Sequence, residues 1–386
     1  MHEMQDLLTR GVANIIPNRE ILEKKLNSGE KLNIYLGIDP TATNIHLGHA
    51  VLLRKLQKFA QLGHNVTFLV GDFTARIGDT SDKESERPQL TNTQIQENLK
   101  TYREQASKII DFEKITIKFN SEWLSKLSFE DVIKLVGKFS LNDFISRELI
   151  KKRLTDGKSV GLLETIYPIM QGYDSYTLDT DLQIGGTDQT FNMQAGRSLL
   201  KDKKESFIIT MEFLSGTDGR KMSKTWGNAI WLTDTASDMF GKLMSITDDV
   251  IIQYFTLATD ISTEEIKSYE SELQASPMEL KKKLAYTIVS ELYDERAAKE
   301  AHEHFEKTVQ NKEIPENIER IETQSGISIL DFLIRNNLTE SKSEGKRLIE
   351  QGGVTFNDDK AELSTNISRN GILKIGKRNY REVIIK

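Results

Sequence analysis

The sequence contains no cysteine. That excludes disulfides, thiolate zinc sites, iron–sulfur clusters and thiol nucleophiles. It also lacks an apolar run near the ~18 residues that a membrane-spanning helix needs. The opening stretch, Met1 to Val12, carries acids at Glu3 and Asp6. It has neither a basic segment nor an apolar core, so it does not read as a signal peptide. An excess of positive charge is missing too: 52 basic residues face 58 acidic ones, for a net charge of −6. The whole chain is therefore no basic nucleic-acid coat, although a local basic face stays open. Internal repeats and low-complexity segments are absent. What remains is a chain of 386 residues, 38% apolar with 24 glycines. That is enough for a sizeable core, and at ~150 residues per domain it suggests two or three domains. A soluble cytoplasmic protein is the expectation.

The first half alternates strand and helix signals. Lys31–Ile38, Asn65–Asp72 and Ile115–Phe119 read as strands. Leu47–Gly63, Thr91–Ile110 and Glu122–Phe139 read as helices between and after them. This pattern predicts an α/β fold built on a parallel sheet with right-handed crossovers. From Ser140 to Thr180 the signals are consecutive helices. A short strand at Leu182–Ile184, a helix at Phe191–Leu200 and a strand at Phe207–Leu214 then suggest a second half of the same sheet. Ser215–Thr233, with Gly216, Gly219 and Gly227, reads as a mobile loop. Thr235 to about Lys312 is helical, including one long helix over Met278–Val309, and Pro315 marks a linker. Beyond it Ile329–Asn336 and Ser341–Gln351 look like short helices, followed by a strand at Val354–Asn357. From Ile327 on, 11 basic residues stand against 8 acidic ones. The tail is thus positive in an acidic chain, which fits a partner of opposite charge or simply a solvated small domain.

Two patterns carry chemistry. His46-Leu47-Gly48-His49 lies where the first strand meets its helix. Two histidines three apart can face one way in a first helical turn. A helix N-terminus already favours anions, so the pair suits a polyphosphate. Gly48 lets a flat ligand approach the backbone. A pair of surface histidines is the plainer alternative. An HxxH metal pair supplies too few ligands by itself. The second pattern is Lys221-Met222-Ser223-Lys224-Thr225, in a glycine-flanked loop. Two lysines there could close over a triphosphate and neutralise charge as pyrophosphate leaves. Alone it would be an ordinary basic loop. Paired with HxGH upstream it is more than that.

Together the two patterns are the mark of class I aminoacyl-tRNA synthetases. The chain resembles the bacterial tyrosyl-tRNA synthetase family along essentially its whole length. The narrowing phrases are Tyr35–His49, Ile77–Arg87, Tyr167–Asp174, Leu182–Gln189 and the lysine loop. The resemblance implies a Rossmann-like catalytic domain over 1–219 with a helical insertion at about 118–167. It further implies a mobile loop at 220–234, a helical tRNA-contacting domain at 235–314, a linker at 315–326 and an α-L type RNA-binding module at 327–386.

It also implies roles. Tyr35 and Asp174 would hydrogen-bond the phenol of tyrosine. Such a pair would reject phenylalanine, which leaves both groups unpaired. Asp79, Tyr167 and Gln171 would hold the α-ammonium, and Gln189 would lie near the carboxylate. Gly37, Asp39, Gly186 and Asp188 match the nucleotide side, with Gly48 and Met222 beside it. Thr41, His46 and His49 match phosphate-binding positions. Lys83 and Arg87, with Lys221, Lys224 and Thr225, would hold the outer phosphates. Leu36 and Leu52 depart from the family pattern, where small polar residues touch the ribose. The implied partners are ATP as substrate with Mg²⁺, L-tyrosine, tRNA(Tyr) and a second copy of the chain. No zinc and no membrane are expected. A tryptophan-activating relative, a small-molecule nucleotidylyltransferase and a non-catalytic RNA-binding scaffold are the competing readings.

Overall fold

The computed structural model describes residues 2–79, 90–310, 318–339, 341–376 and 379–386. The chain divides into two compact units, Met1–Glu295 and Arg296–Lys386.

The first unit is built on six strands: β1 (Val12–Ile16), β2 (Asn33–Ile38), β3 (Asn65–Val70), β4 (Ile115–Phe119), β5 (Leu182–Gly186) and β6 (Phe207–Met211). Their order across the sheet is β1-β6-β5-β2-β3-β4. All neighbours run parallel except β1, which lies antiparallel to β6. Every residue of β5 and β6 is buried, as a parallel sheet covered on both faces requires. The expected α/β sheet is therefore present, with five strands where the hydrophobic runs placed them. β1 was not expected. Its sequence, VANII, leaves two of five positions exposed, so it has neither a continuous apolar run nor a clean alternation.

The helix after β2 spans Leu47–Gln61, burying Leu47, Val51, Leu53, Leu56 and Phe59 against the sheet. It stops before Gly63, whose φ of 84° continues no helix. Three expected helices are each two. Thr91–Ile110 holds Asn92–Leu99 and Tyr102–Ala106. Glu122–Phe139 gives way to Ser121–Leu124 and Phe129–Val136, because Ser128 and Asp131 cap a fresh start. The long Met278–Val309 helix is Pro277–Leu292 followed by Glu295–Phe305. The helical stretch between β4 and β5 ends with Leu162–Thr177, which runs on past Tyr167. Helices Ala236–Leu243, Ile251–Ala258, Thr263–Ala275 and Pro277–Leu292 complete this unit.

The second unit has its own core, with Ile329, Phe332, Leu333, Val354, Leu373 and Val383 all fully buried. Helices Ile329–Arg335 and Lys342–Glu350 pack there with a five-stranded sheet. One of its strands, Glu319–Thr323, pairs in parallel with Asn379–Ile385. That strand falls inside the stretch expected to be a linker; its only apolar residue is Ile321, so no hydrophobic run marks it in the sequence. Pro315 lies outside the described residues. No helix among the described residues is long and apolar enough to cross a membrane.

Candidate active site

β2 and β5 are neighbours in the sheet, yet the chain leaves them in opposite directions, to β3 and to β6. Open α/β sheets bind ligands at the carboxyl ends of strands where such a reversal occurs. A cavity of about 740 Å³ lies there, within the range of small-molecule sites.

Its inner end is polar and buried. Tyr35, on β2, is 3% exposed. Its hydroxyl lies 2.9 Å from Ser175 Oγ and donates to Gln183 Oε1 at 3.3 Å. Gln183 is itself fixed by Ser175 and by the Met193 carbonyl. Beside Tyr35 stands Asp174, 2% exposed, on the Leu162–Thr177 helix. Trp123 Nε1 donates to one carboxylate oxygen at 2.7 Å and Asn120 Nδ2 to the other at 3.1 Å. Burial outweighs both donors and pushes the Asp174 carboxyl up to about 8. The Tyr35 phenol is raised by burial and then by Asp174.

In the middle, Asp79 accepts from Gln189 Nε2 at 2.6 Å and Asn192 Nδ2 at 3.4 Å. Tyr167 and Gln171 line the cavity one helical turn apart. Tyr167 donates to Asp39 Oδ2 at 3.0 Å, and Thr74 donates to the other Asp39 oxygen at 2.7 Å. Asp39, expected on the nucleotide side, is thus bonded to Tyr167 in the free chain. Asp39 and Asp79 place two carboxylates on this part of the wall, a setting that attracts a cationic ammonium.

The outer end is built for anions. His46 caps the Leu47–Gln61 helix, and its ring stacks on His49 with centroids 3.9 Å apart. The His46 backbone N–H donates to His49 Nδ1 at 3.4 Å, so neutral His49 carries its proton on Nε2. Burial and then Lys221 bring His49 down to about 4. His46 lies well below its ordinary value through burial, His49 and Lys221. Both rings are therefore neutral at pH 7 in the free chain, and each has an N–H rather than a charge to offer. Gly48 is needed between them: a Cβ there would sit 2.9 Å from His46 Nδ1.

Across the cavity, Lys221 Nζ is 3.2 Å from Asp188 Oδ2 and 3.8 Å from the centre of the Phe213 ring. Gly186 makes room for Asp188, whose carboxylate a Cβ would meet at 2.6 Å. Met222 is buried against Gly48. Asn228 holds the loop by accepting from Ser223 N at 2.8 Å and donating to Asp218 at 2.7 Å and to the Lys221 carbonyl at 3.2 Å. Gly37, Thr41, Lys224 and Thr225 also line the cavity, as do Leu36 and Leu52. Lys83 and Arg87 lie outside the described residues. Sequence reasoning missed Thr74, Asn120, Trp123, Ser175, Gln183 and Asn228. All six act by holding another side chain or the loop, and Ser175 alone had a signal, its place beside Asp174.

The family model for class I tRNA synthetases (W and Y) matches residues 27–310. A tyrosine–tRNA ligase of Thermotoga maritima is 41% identical over 99% of this chain and 97% of its own length. One from Aquifex aeolicus is 41% identical over 99% of this chain and 98% of its own. Among solved structures, a C-terminally truncated mitochondrial tyrosyl-tRNA synthetase of Coccidioides posadasii shares the fold, with a TM-score of 0.65 at 24% identity over 78% of this chain and 91% of its own. The tyrosyl-tRNA synthetase of Archaeoglobus fulgidus complexed with L-tyrosine does so with a TM-score of 0.62 at 22% identity, over 78% and 99%.

Proposed function

The chain belongs to the class I tRNA synthetases that handle tryptophan and tyrosine, and we propose that within this family it is a tyrosine–tRNA ligase. The observation that carries the choice of amino acid is the inner end of the cavity, where Tyr35 and the Asp174 carboxyl stand side by side out of water. A phenol hydroxyl entering there meets a donor and an acceptor; an indole ring presents a single N–H.

In the first step, the tyrosine carboxylate attacks the α-phosphorus of ATP, which arrives with its Mg²⁺. A bond to phosphorus forms, the bond to the β-phosphate oxygen breaks, and pyrophosphate leaves. The carboxylate is already ionised, so no general base is needed. Alignment and electrostatics supply the acceleration. Asp79, Tyr167 and Gln171 hold the ammonium, with Asp39 behind Tyr167, and Gln189 lies near the carboxylate. His46 and His49 donate N–H bonds to the phosphates with Thr41. Lys221, Lys224 and Thr225 close on the departing pyrophosphate, together with Lys83 and Arg87. Asp188 takes the ribose hydroxyls, a place Lys221 fills in the free chain. In the second step a terminal ribose hydroxyl of tRNA(Tyr) attacks the activated carbonyl and AMP leaves. The helical region and the basic tail, with Lys342, Lys346 and Arg347 on one short helix, face the tRNA body.

We further infer a cytoplasmic homodimer joined through the insertion. Phe129 is 80% exposed, Leu162 78%, Leu141 63% and Ile133 55%. Large apolar side chains gathered in one region and left in water point to an interface. Exchange of labelled pyrophosphate into ATP, run with each of the twenty amino acids and no tRNA, tests the reading. Exchange with tyrosine alone is expected. Exchange with tryptophan would overturn the Tyr35–Asp174 assignment, and none with any amino acid would overturn the enzyme.

A further inference from the structure

Two tyrosines of the helical region that touch no part of the cavity hold the two ends of the lysine loop. At its start, the Tyr254 hydroxyl donates to the Ser215 carbonyl at 2.6 Å. The neighbouring Gln253 accepts from the Ser215 N–H at 3.1 Å and donates to the Phe213 carbonyl at 3.2 Å. Phe213 is the residue whose ring lies beneath Lys221 Nζ. At the loop's other end, the Tyr293 hydroxyl donates to the Asp234 carbonyl. The Asp234 carboxylate is held by Lys242 Nζ at 2.6 and 2.7 Å. Lys108 Nζ, 3.8 Å from the centre of the Tyr293 ring, donates to the Leu232 carbonyl at 2.6 Å.

Just inside that second anchor the loop is laced to the start of the HxGH helix: the Leu47 N–H donates to the Ile230 carbonyl at 2.9 Å and the Leu232 N–H to the Ile45 carbonyl at 2.8 Å. The segment between the anchors carries Lys221 and Lys224. Its path is therefore set from Ile251–Ala258 on one side and from the end of Pro277–Leu292 on the other.

We propose that Tyr254 and Tyr293 are positioning residues for the first step, setting through the ends of the loop where its lysines meet the departing pyrophosphate. This rests on the tyrosine–tRNA ligase reading. Neither ring touches a reacting atom. Each hydroxyl makes one bond to a backbone carbonyl, and misplacing a charged group by an ångström can cost up to about a hundredfold in rate. The tyrosine subsite, at the inner end of the cavity, is untouched by either.

The test measures tyrosine-dependent pyrophosphate exchange by the full chain for Tyr254→Phe, Tyr293→Phe and Lys224→Ala, and for Tyr254→Phe combined with Lys224→Ala. The two phenylalanine variants keep the ring and lose one hydrogen bond. We expect kcat to fall about tenfold in each, the scale of one lost buried hydrogen bond, with KM for tyrosine unchanged. We also expect the combined variant to lose less than the product of the two single losses, since the tyrosine acts in part through that lysine. A merely structural role would raise KM alongside the loss of kcat and would multiply in full with the loss from Lys224→Ala. Either result overturns the proposal, as does unchanged kcat in both single variants. If the unaltered chain exchanges no pyrophosphate with tyrosine, the underlying reading falls, and the proposal with it.

Discussion

Asp174 holds a proton that an ordinary aspartate would have released. Its carboxyl titrates near 8 in the fold, against 3.8 for an unperturbed group. Between those values the folded chain binds more protons than the unfolded one, so this group's contribution to stability is lost as pH rises from about 4 to 8. His49 works in the opposite sense. With its folded pKa down at about 4, stability is lost as pH falls from about 6.5 toward 4. Asp174→Asn is isosteric and removes the titration; it also gives up one of the two bonds that Asp174 accepts, a loss that is the same at every pH. Urea midpoints at pH 5 and pH 8 are expected to show the variant gaining on the parent at the higher pH; an equal difference at both would remove the basis for a protonated Asp174. Tyr35→Phe leaves Ser175 and Gln183 bonded to each other. The fold should therefore survive, while the preference for tyrosine over phenylalanine in pyrophosphate exchange falls at least tenfold, the scale of about 1.5 kcal/mol for a hydrogen bond. At this scale the sequence showed which residues line the cavity, because they sit in recognisable phrases. It did not show that Tyr167 reaches Asp39, or that Asn120 and Trp123 hold Asp174. Those bonds join residues far apart in the chain, and no local spacing encodes them.

The lysine loop is the element to which the proposed first step assigns the departing pyrophosphate. It is more than a tether for two ammonium groups, because Asn228 ties Ser223, Asp218 and Lys221 into one turn. Asn228→Ala should release that turn. The expected result is a tenfold to about hundredfold slower pyrophosphate exchange with unchanged tyrosine binding by equilibrium dialysis. Weakened tyrosine binding would instead mean that the turn supports the inner cavity. The glycines and lysines made this segment readable as a loop, but its internal bracing was not. Helix boundaries were legible unevenly, for a physical reason. Apolar periodicity carries through a break such as Lys100-Thr101 or Tyr293-Asp294, since the helices on both sides bury the same kind of face. The break itself lies in caps, and the Ser128–Asp131 box was one that could have been read.

Over the whole molecule, the two compact units have separate cores, and the exposed apolar residues concentrate between β4 and β5. If that region joins two copies, Phe129→Asp with Leu162→Asp should shift the chain to monomer in sedimentation equilibrium while preserving its circular dichroism. A dimer that persists would place the interface elsewhere. The parallel α/β architecture was legible because buried strands are continuous apolar runs that alternate with amphipathic helices. The antiparallel strand β1 was not, because it is short, half-exposed and defined by a partner much later in the chain. That partnership has a consequence in time. Ile16 pairs with Ile208 and Ile15 with Ile209, so β1 leaves the ribosome well before the strand that it pairs with. Until β6 has been synthesised, Val12–Ile16 travels as an unpaired edge, and the nascent chain depends on whatever shields such edges from each other.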